Sequence, residues 1–183
     1  MTTPYHKRLY ALPAAVILLF AYSCGEHASA PKNTAPDRPS FSAAAFLAKD
    51  TIGFFRGAEF GDEAGTIRQM ENDSFLVFDS PALLKYEYKL PGDRYYKLEY
   101  TFKKNKLSSF NFDLFPASET EAENLTLQLK DWFRKRFGDG VTQMGVFVWP
   151  LAASEYKESY LELRDESSEF GYGKVNITAY AIR

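Results

Sequence analysis

The chain has little of the chemistry that most catalytic sites use. Its 183 residues include one cysteine, Cys24, and two histidines, His6 and His27. The region after residue 40 therefore offers no imidazole or thiol for a Ser–His or Cys–His nucleophile pair, or for a histidine-rich zinc site. A single cysteine also excludes an intramolecular disulfide, so the folded region must be stabilised by packing alone.

Other catalytic motifs are missing as well. Glycines recur at every fourth position from Gly53 to Gly65, but the residues between them match no P-loop or Rossmann phosphate motif, and we interpret them as turns. Carboxylates are dense between residues 155 and 169, and a glycosidase needs two of them. Glu158 and Glu162 alternate with leucines, however, as solvated charges on a strand do. We expect a non-enzyme with no cofactor and no metal site.

Long apolar runs are absent apart from one near the start. Residues 6–8 are basic, residues 9–22 are uncharged and mostly apolar, and small Ser23 then precedes Cys24. The run is shorter than the roughly 20 residues of a membrane-spanning helix, and Pro13 interrupts it. A signal-peptide core needs only about 7–15 apolar residues.

This order of basic start, apolar run, small residue and cysteine resembles the signal peptide of bacterial lipoproteins. The resemblance implies cleavage between Ser23 and Cys24 and acylation of Cys24, whose acyl chains would hold the protein on a membrane. Ala21 and Tyr22 depart from the commonest residues of that motif. The alternative interpretation is an uncleaved N-terminal anchor with a chemically idle cysteine.

The segment after the cysteine predicts a tether and a location. Residues 25–40 contain three prolines and no large apolar residue, so they cannot bury enough surface to fold. Bacteroidota lipoproteins, which the start of the chain resembles, carry an acidic cluster here when they are sent to the cell surface, and this chain lacks one. We expect a signal peptide at 1–23, an acylated cysteine with a disordered tether at 24–40, and one domain at 41–183. The protein would sit in the cell envelope, at the outer membrane, facing the periplasm.

The charge balance argues against a nucleic-acid partner. The chain has 22 basic and 24 acidic residues, and removal of Lys7 and Arg8 with the signal peptide would leave 20 and 24. A net charge of about −4 does not supply the clustered basic face that nucleic acids require. The membrane contact is therefore expected through acyl chains and not through a polybasic patch.

Two helices are predicted in the folded region. The stronger follows a capping box formed by Ser118 and Glu121, and Gly138 ends it. Apolar residues at three- and four-residue spacing give it one buried stripe: Ala122, Leu125, Leu129, Trp132, Phe133 and Phe137. The weaker helix follows Gly61, with Asp62 as its expected N-cap.

The remaining segments alternate apolar and polar residues, which predicts strands with one dry and one wet face. These segments are residues 75–78, 84–90, 96–102, 110–114, 141–149, 160–164 and 175–182. Turns are expected at 91–93, 104–105 and 165–168. The order helix–strands–helix–strands predicts an α+β domain with two helices packed on one face of a meandering antiparallel sheet.

Gly61, Ile67 and Met70 have the spacing of the helix opening in small envelope lipoproteins. The segment is similar to that of a subunit of the outer-membrane β-barrel assembly machine, whose fold is similar to that of β-lactamase inhibitor proteins. The resemblance covers about a dozen residues and implies a fold of short helices and antiparallel hairpins that binds other proteins. It transfers no functional residue.

Aromatic side chains are abundant, at 16% of the chain, and those near predicted loops are candidates for a binding surface. We select Trp149, Tyr156, Tyr160 and Tyr172, because such rings anchor protein interfaces and stack on sugars. Tyr95 and Phe115 belong to the same group of rings. Arg56 is expected to be a solvated charge at a loop edge.

These features favour a lipid-anchored envelope protein that binds another protein as an accessory, scaffold or inhibitor. The alternative is a module that binds a glycan, either peptidoglycan or lipopolysaccharide. A carboxylate-dependent hydrolase is the third and least favoured interpretation.

Overall fold

The computed structural model describes residues 42–43, 53–152, 156 and 158–182. The helices and strands bounded within these ranges are α1 (Ala64–Met70), a 3-10 turn (Asp73–Phe75), β1 (Leu76–Ser80), β2 (Leu83–Leu90), β3 (Arg94–Lys103), β4 (Lys106–Phe115), α2 (Glu119–Phe137), β5 (Val141–Gln143), β6 (Val146–Pro150), β7 (Glu158–Asp165), α3 (Ser167–Phe170) and β8 (Val175–Ile182). The predicted signal peptide, Cys24 and the tether lie outside the described residues.

The eight strands form one antiparallel sheet in the order β1-β2-β3-β4-β8-β7-β6-β5. Helix α1 precedes a meander of β1 to β4, and helix α2 precedes a second meander of β5 to β8 that has α3 between its last two strands; β4 and β8 pair at the centre. The sheet ends on β1, whose register with β2 shifts between Leu76 and Phe78, and on β5, which has three residues. The α+β class with a meandering antiparallel sheet is confirmed.

Alternation along the strands builds the core. Alternate residues of the five long strands are buried, including Leu84, Leu98, Phe112, Ile177 and Leu161. They form one cluster with apolar residues of α1 and α2 and with Phe54 and Phe55. The residues between them are half-exposed or exposed, as expected for a sheet with one dry face.

Helix α2 follows its sequence signals. The Ser118 hydroxyl accepts a hydrogen bond from the Glu121 N–H at 3.2 Å, and the Glu121 carboxylate accepts one from the Ala117 N–H at 2.7 Å. Gly138 forms the C-cap with φ +83°, a conformation that favours glycine. The predicted apolar stripe is the buried side of the helix, with Leu129 and Phe133 completely buried.

Three local predictions differ from the structure. Helix α1 begins at Ala64, and the Asp62 carboxylate does not cap it but accepts the N–H of Glu59 at 2.8 Å. Residues 165–168 do belong to the hairpin connection between β7 and β8, but it is longer than a simple turn, because it contains α3 and extends to Lys174. Residues 141–149 form two strands, not one, because Met144 and Gly145 both adopt positive φ angles and reverse the chain.

Neighbouring leucines on α2 provide a direct test of the core. We expect Leu129→Ala to lower the free energy of unfolding by about 2–5 kcal/mol, because it leaves a cavity in a closed core. Leu127→Ala, on a side chain that is 58% exposed, should change it by less than about 0.5 kcal/mol. Chemical denaturation of both variants measures the difference, and equal losses would contradict the assigned helix orientation.

Candidate binding surface on the sheet

Two of the four predicted binding aromatics are core residues. Trp149 is 1% exposed, its ring lies 5.3 Å from that of Phe133, and its Nε1–H donates to the Gly138 carbonyl at 3.1 Å. Tyr156 is also buried, and its hydroxyl donates to the Leu107 carbonyl at 3.2 Å. Their assignment to a binding surface is therefore wrong. Tyr160 and Tyr172 do lie at the surface.

The half-exposed side of the five long strands is a continuous surface, which we call the open face. Its side chains line up in rows across the sheet because the strands are in register. One row runs Lys85–Glu99–Asn111–Thr178–Glu162, and the next runs Glu87–Lys97–Asp113–Asn176–Arg164. The open face is therefore polar at its centre and carries charges of both signs.

The centre of the open face is a hydrogen-bonded network on β4 and β8. The Asn176 amide donates to the side-chain oxygens of Asn111 and Asp113, both at 2.8 Å. The Asn111 amide donates to the other Asp113 oxygen at 3.1 Å, and the Thr178 hydroxyl lies 2.9 Å from the amide oxygens of Asn111 and Asn176. These contacts hold the four side chains in fixed orientations before any ligand arrives.

Ion pairs and tyrosines flank this network. On β2 and β3, Lys85 lies 2.6 Å from Glu99 and Lys97 lies 3.7 Å from Glu87. Exposed pairs of this kind contribute about 0–1 kcal/mol to the free energy of unfolding. Their main effect is therefore on the distribution of charge over the surface. On β7 and β8, the Tyr180 hydroxyl donates to Glu162 at 2.8 Å, and the Tyr160 hydroxyl donates to Glu158 at 3.2 Å.

The pKa values of Tyr180 and Tyr160 are both raised in this arrangement. Burial, together with the hydrogen bond to Glu162, raises the pKa of Tyr180 to about 12. The charge of Glu158 raises the pKa of Tyr160. Both phenols thus remain neutral donors, and the two glutamates that sequence analysis considered as hydrolase residues accept their hydrogen bonds.

Aromatic rings close one end of the open face. Tyr95 and Phe115, which are cross-strand partners, stack with centroids 4.2 Å apart and planes 11° apart. Tyr172 lies 6.3 Å from Phe115, and Phe170 lies 5.8 Å from Tyr172. The ammonium of Lys97 sits over the Tyr95 ring at 5.6 Å. Sequence analysis named Tyr95, Phe115 and Tyr172 singly; the structure brings them together.

A second polar cluster is buried beneath the opposite side of the sheet. Arg56 and Glu71 are 4% and 6% exposed, and the guanidinium donates to both carboxylate oxygens at 2.9 and 2.7 Å. The hydroxyls of Tyr88 and Tyr100 donate to the same carboxylate at 2.6 and 2.8 Å. The expectation that Arg56 is a solvated charge is wrong, because its partner, 15 residues along the chain, is buried with it.

The electrostatics of this cluster are those of a structural ion pair. Burial alone would raise the pKa of Glu71, but the hydrogen bonds and charge of Arg56 and the two tyrosine hydroxyls outweigh it and lower the pKa to about 2. The same pairing raises the pKa of Arg56 above its usual value in spite of burial. Glu71 therefore stays ionised, and each of its oxygens already accepts two hydrogen bonds.

No group of three or more histidine, cysteine, aspartate or glutamate side chains is arranged to hold a metal ion among the described residues. Within the same ranges, no helix has the length and apolarity needed to cross a bilayer. Comparisons with protein-family models, curated proteins and solved structures found no match to the chain.

The lowered pKa of Glu71 predicts a pH dependence of stability. A carboxyl with a pKa of about 2 when folded, against an ordinary value of 4.5, contributes stability that is complete above pH 4.5 and is lost as the pH falls towards 2. We expect Glu71→Gln to lower the free energy of unfolding by roughly 3–5 kcal/mol at pH 7, because it leaves Arg56 buried without its counter-charge. The deficit should shrink between pH 4.5 and 2.

Denaturant titrations of both proteins at several pH values measure this deficit. Asp79→Asn is the matched control, since Asp79 pairs with Arg68 at the surface and should cost at most about 1 kcal/mol. A deficit that stays constant from pH 7 to pH 2 would contradict the electrostatic assignment.

Proposed function

We propose that this chain is a lipid-anchored envelope protein that binds another envelope protein through the open face and does not act as an enzyme. The anchor is Cys24, and the location is the periplasmic side of the outer membrane, as the lipoprotein-like start of the sequence favours. The observation that carries the proposal is the hydrogen-bonded, half-exposed polar surface across the centre of the sheet.

Packing on the other side of the sheet supports this assignment. Glu71, next to α1, binds tyrosines of β2 and β3, and Phe133 of α2 packs on Trp149 of β6. In our proposal both helices cover the dry face, which leaves the open face for a partner. A helix-covered sheet with one free side is a rigid platform, and rigidity lowers the ordering cost of binding.

The open face is large enough for a protein partner. The five long strands have eight to ten residues each, so they cover roughly 600–700 Å² at about 3.3 Å per residue and 4.8 Å per strand. A stable interface buries about 800 Å² on each partner. Side-chain relief and the neighbouring loops make up the difference.

The chemistry of the open face also fits a protein. Charges of both signs stand in fixed rows and give a partner a pattern to complement, which improves specificity and the rate of association. Tyr160 and Tyr180 lie side by side with centroids 5.8 Å apart, and tyrosine is among the residues enriched in interface hot spots.

In-cell photocrosslinking tests the proposal. A photoreactive phenylalanine analogue replacing Thr101, a half-exposed residue of the open face, should capture one envelope protein. The same analogue replacing Leu127, on the exposed side of α2, is the matched control and should not. Because the anchor restricts the protein to the membrane surface, Cys24→Ala should weaken the capture. Equal products from both positions, or none from Thr101, would contradict the proposed interface.

A further inference from the structure

The aromatic end of the open face contains a cavity of about 520 Å³, which we call the aromatic cleft. Tyr95, Phe115 and Tyr172 line it, together with the turn at Gly92 and Asp93. The volume lies within the range of about 300–1,000 Å³ that is typical of ligand pockets. We propose that the aromatic cleft binds neutral sugar rings of an envelope glycan, at a site that does not depend on the proposed protein contact.

The position of Tyr172 is set by the backbone. Gly173 follows it, and a Cβ at this glycine would lie 2.9 Å from the Pro116 carbonyl oxygen and would also clash with the Ser118 carbonyl. Only glycine therefore lets the segment after α3 lie against the β4–α2 connection. This contact holds Tyr172, a residue that is 49% exposed, with its ring 6.3 Å from that of Phe115.

The charges around the rings favour a neutral ligand. Lys97 lies over Tyr95 and Phe115, and Lys174 lies 4.0 Å from the Phe170 ring centroid, so a cationic ligand would meet like charge. Each ammonium in turn has a carboxylate partner: Lys97 pairs with Glu87 at 3.7 Å and Lys174 with Glu166 at 2.8 Å. Because both lysines are paired with carboxylates, this end of the open face lacks the excess positive charge that would attract an anionic ligand.

Sugar rings match the mixture of groups at the cleft. A pyranose presents C–H groups on its faces and hydroxyls around its rim, so it needs aromatic faces and planar hydrogen-bonding groups close together. Asp113 stands two residues from Phe115 on the same side of β4, about 7 Å away. Among the residues that line the cleft, Asp93 supplies a carboxylate that can accept hydrogen bonds from sugar hydroxyls.

A neighbouring cavity points to a chain of sugars instead of a single ring. It measures about 560 Å³ and shares Gly92, Asp93 and Tyr95 with the aromatic cleft. The Tyr95 ring thus borders two adjacent cavities, each of which has room for a ring. An extended glycan can occupy both, with Tyr95 in contact with successive units.

Co-sedimentation of the full-length protein in detergent tests the inference, with purified peptidoglycan sacculi in one arm and lipopolysaccharide aggregates in the other. The two arms distinguish the source of the sugars. We expect binding in one arm, and Tyr172→Ala should weaken it roughly five- to tenfold through loss of aromatic contact. Phe78→Ala is the matched control, because Phe78 is 48% exposed but lies on β1.

Two further measurements distinguish recognition of neutral sugars from electrostatic binding. Neutral soluble chitohexaose should displace the protein, whereas raising NaCl from 0.05 to 0.5 M should change binding less than twofold, because neutral recognition is not screened. Absence of binding in both arms, equal binding by Tyr172→Ala, or loss in salt would overturn the inference. Protein capture by a photocrosslinker at position 172 without glycan binding would do so too, and would assign the cleft to the protein interface.

Discussion

The buried pair of Arg56 and Glu71 is the constraint on which the first half of the structure depends. It joins the segment before α1 to the residue after that helix, and through Tyr88 and Tyr100 it joins both to β2 and β3. Helix α1 has seven residues and no side-chain cap, so it cannot be stable by itself. A buried ion pair is costly to desolvate, and here four hydrogen bonds to one carboxylate offset that cost.

The two sides of the sheet make different kinds of contact. The dry side carries the apolar core and the Arg56–Glu71 ion pair. The open face carries side chains whose hydrogen bonds and ion pairs are mostly with one another, such as Asn111 with Asn176 and Lys85 with Glu99. Because exposed pairs contribute little to stability, residues of this face can be substituted at small cost to the fold.

Local signals explain what was predictable from the sequence. The capping box at Ser118, the apolar stripe of α2 and the period-two pattern of the strands each depend on residues a few positions apart, and the structure confirms them. The two misplaced side chains, Trp149 and Arg56, depend on contacts between residues that are not close in sequence. Trp149 is buried by Phe133, Arg56 by Glu71, and the central pairing of β4 with β8 brings together residues more than 60 positions apart. No local pattern contains that information.

The way the sheet ends would matter for a chain anchored at a membrane, as we propose for this protein. An anchor concentrates copies of the chain in two dimensions, where exposed strand edges meet often and can pair. The register shift in five-residue β1 and the three-residue length of β5 leave neither edge with a long regular row of free backbone groups. Among the described residues the sheet has eight strands, and such edges disfavour pairing with a second copy of the chain even under the crowding that the proposed anchor would produce.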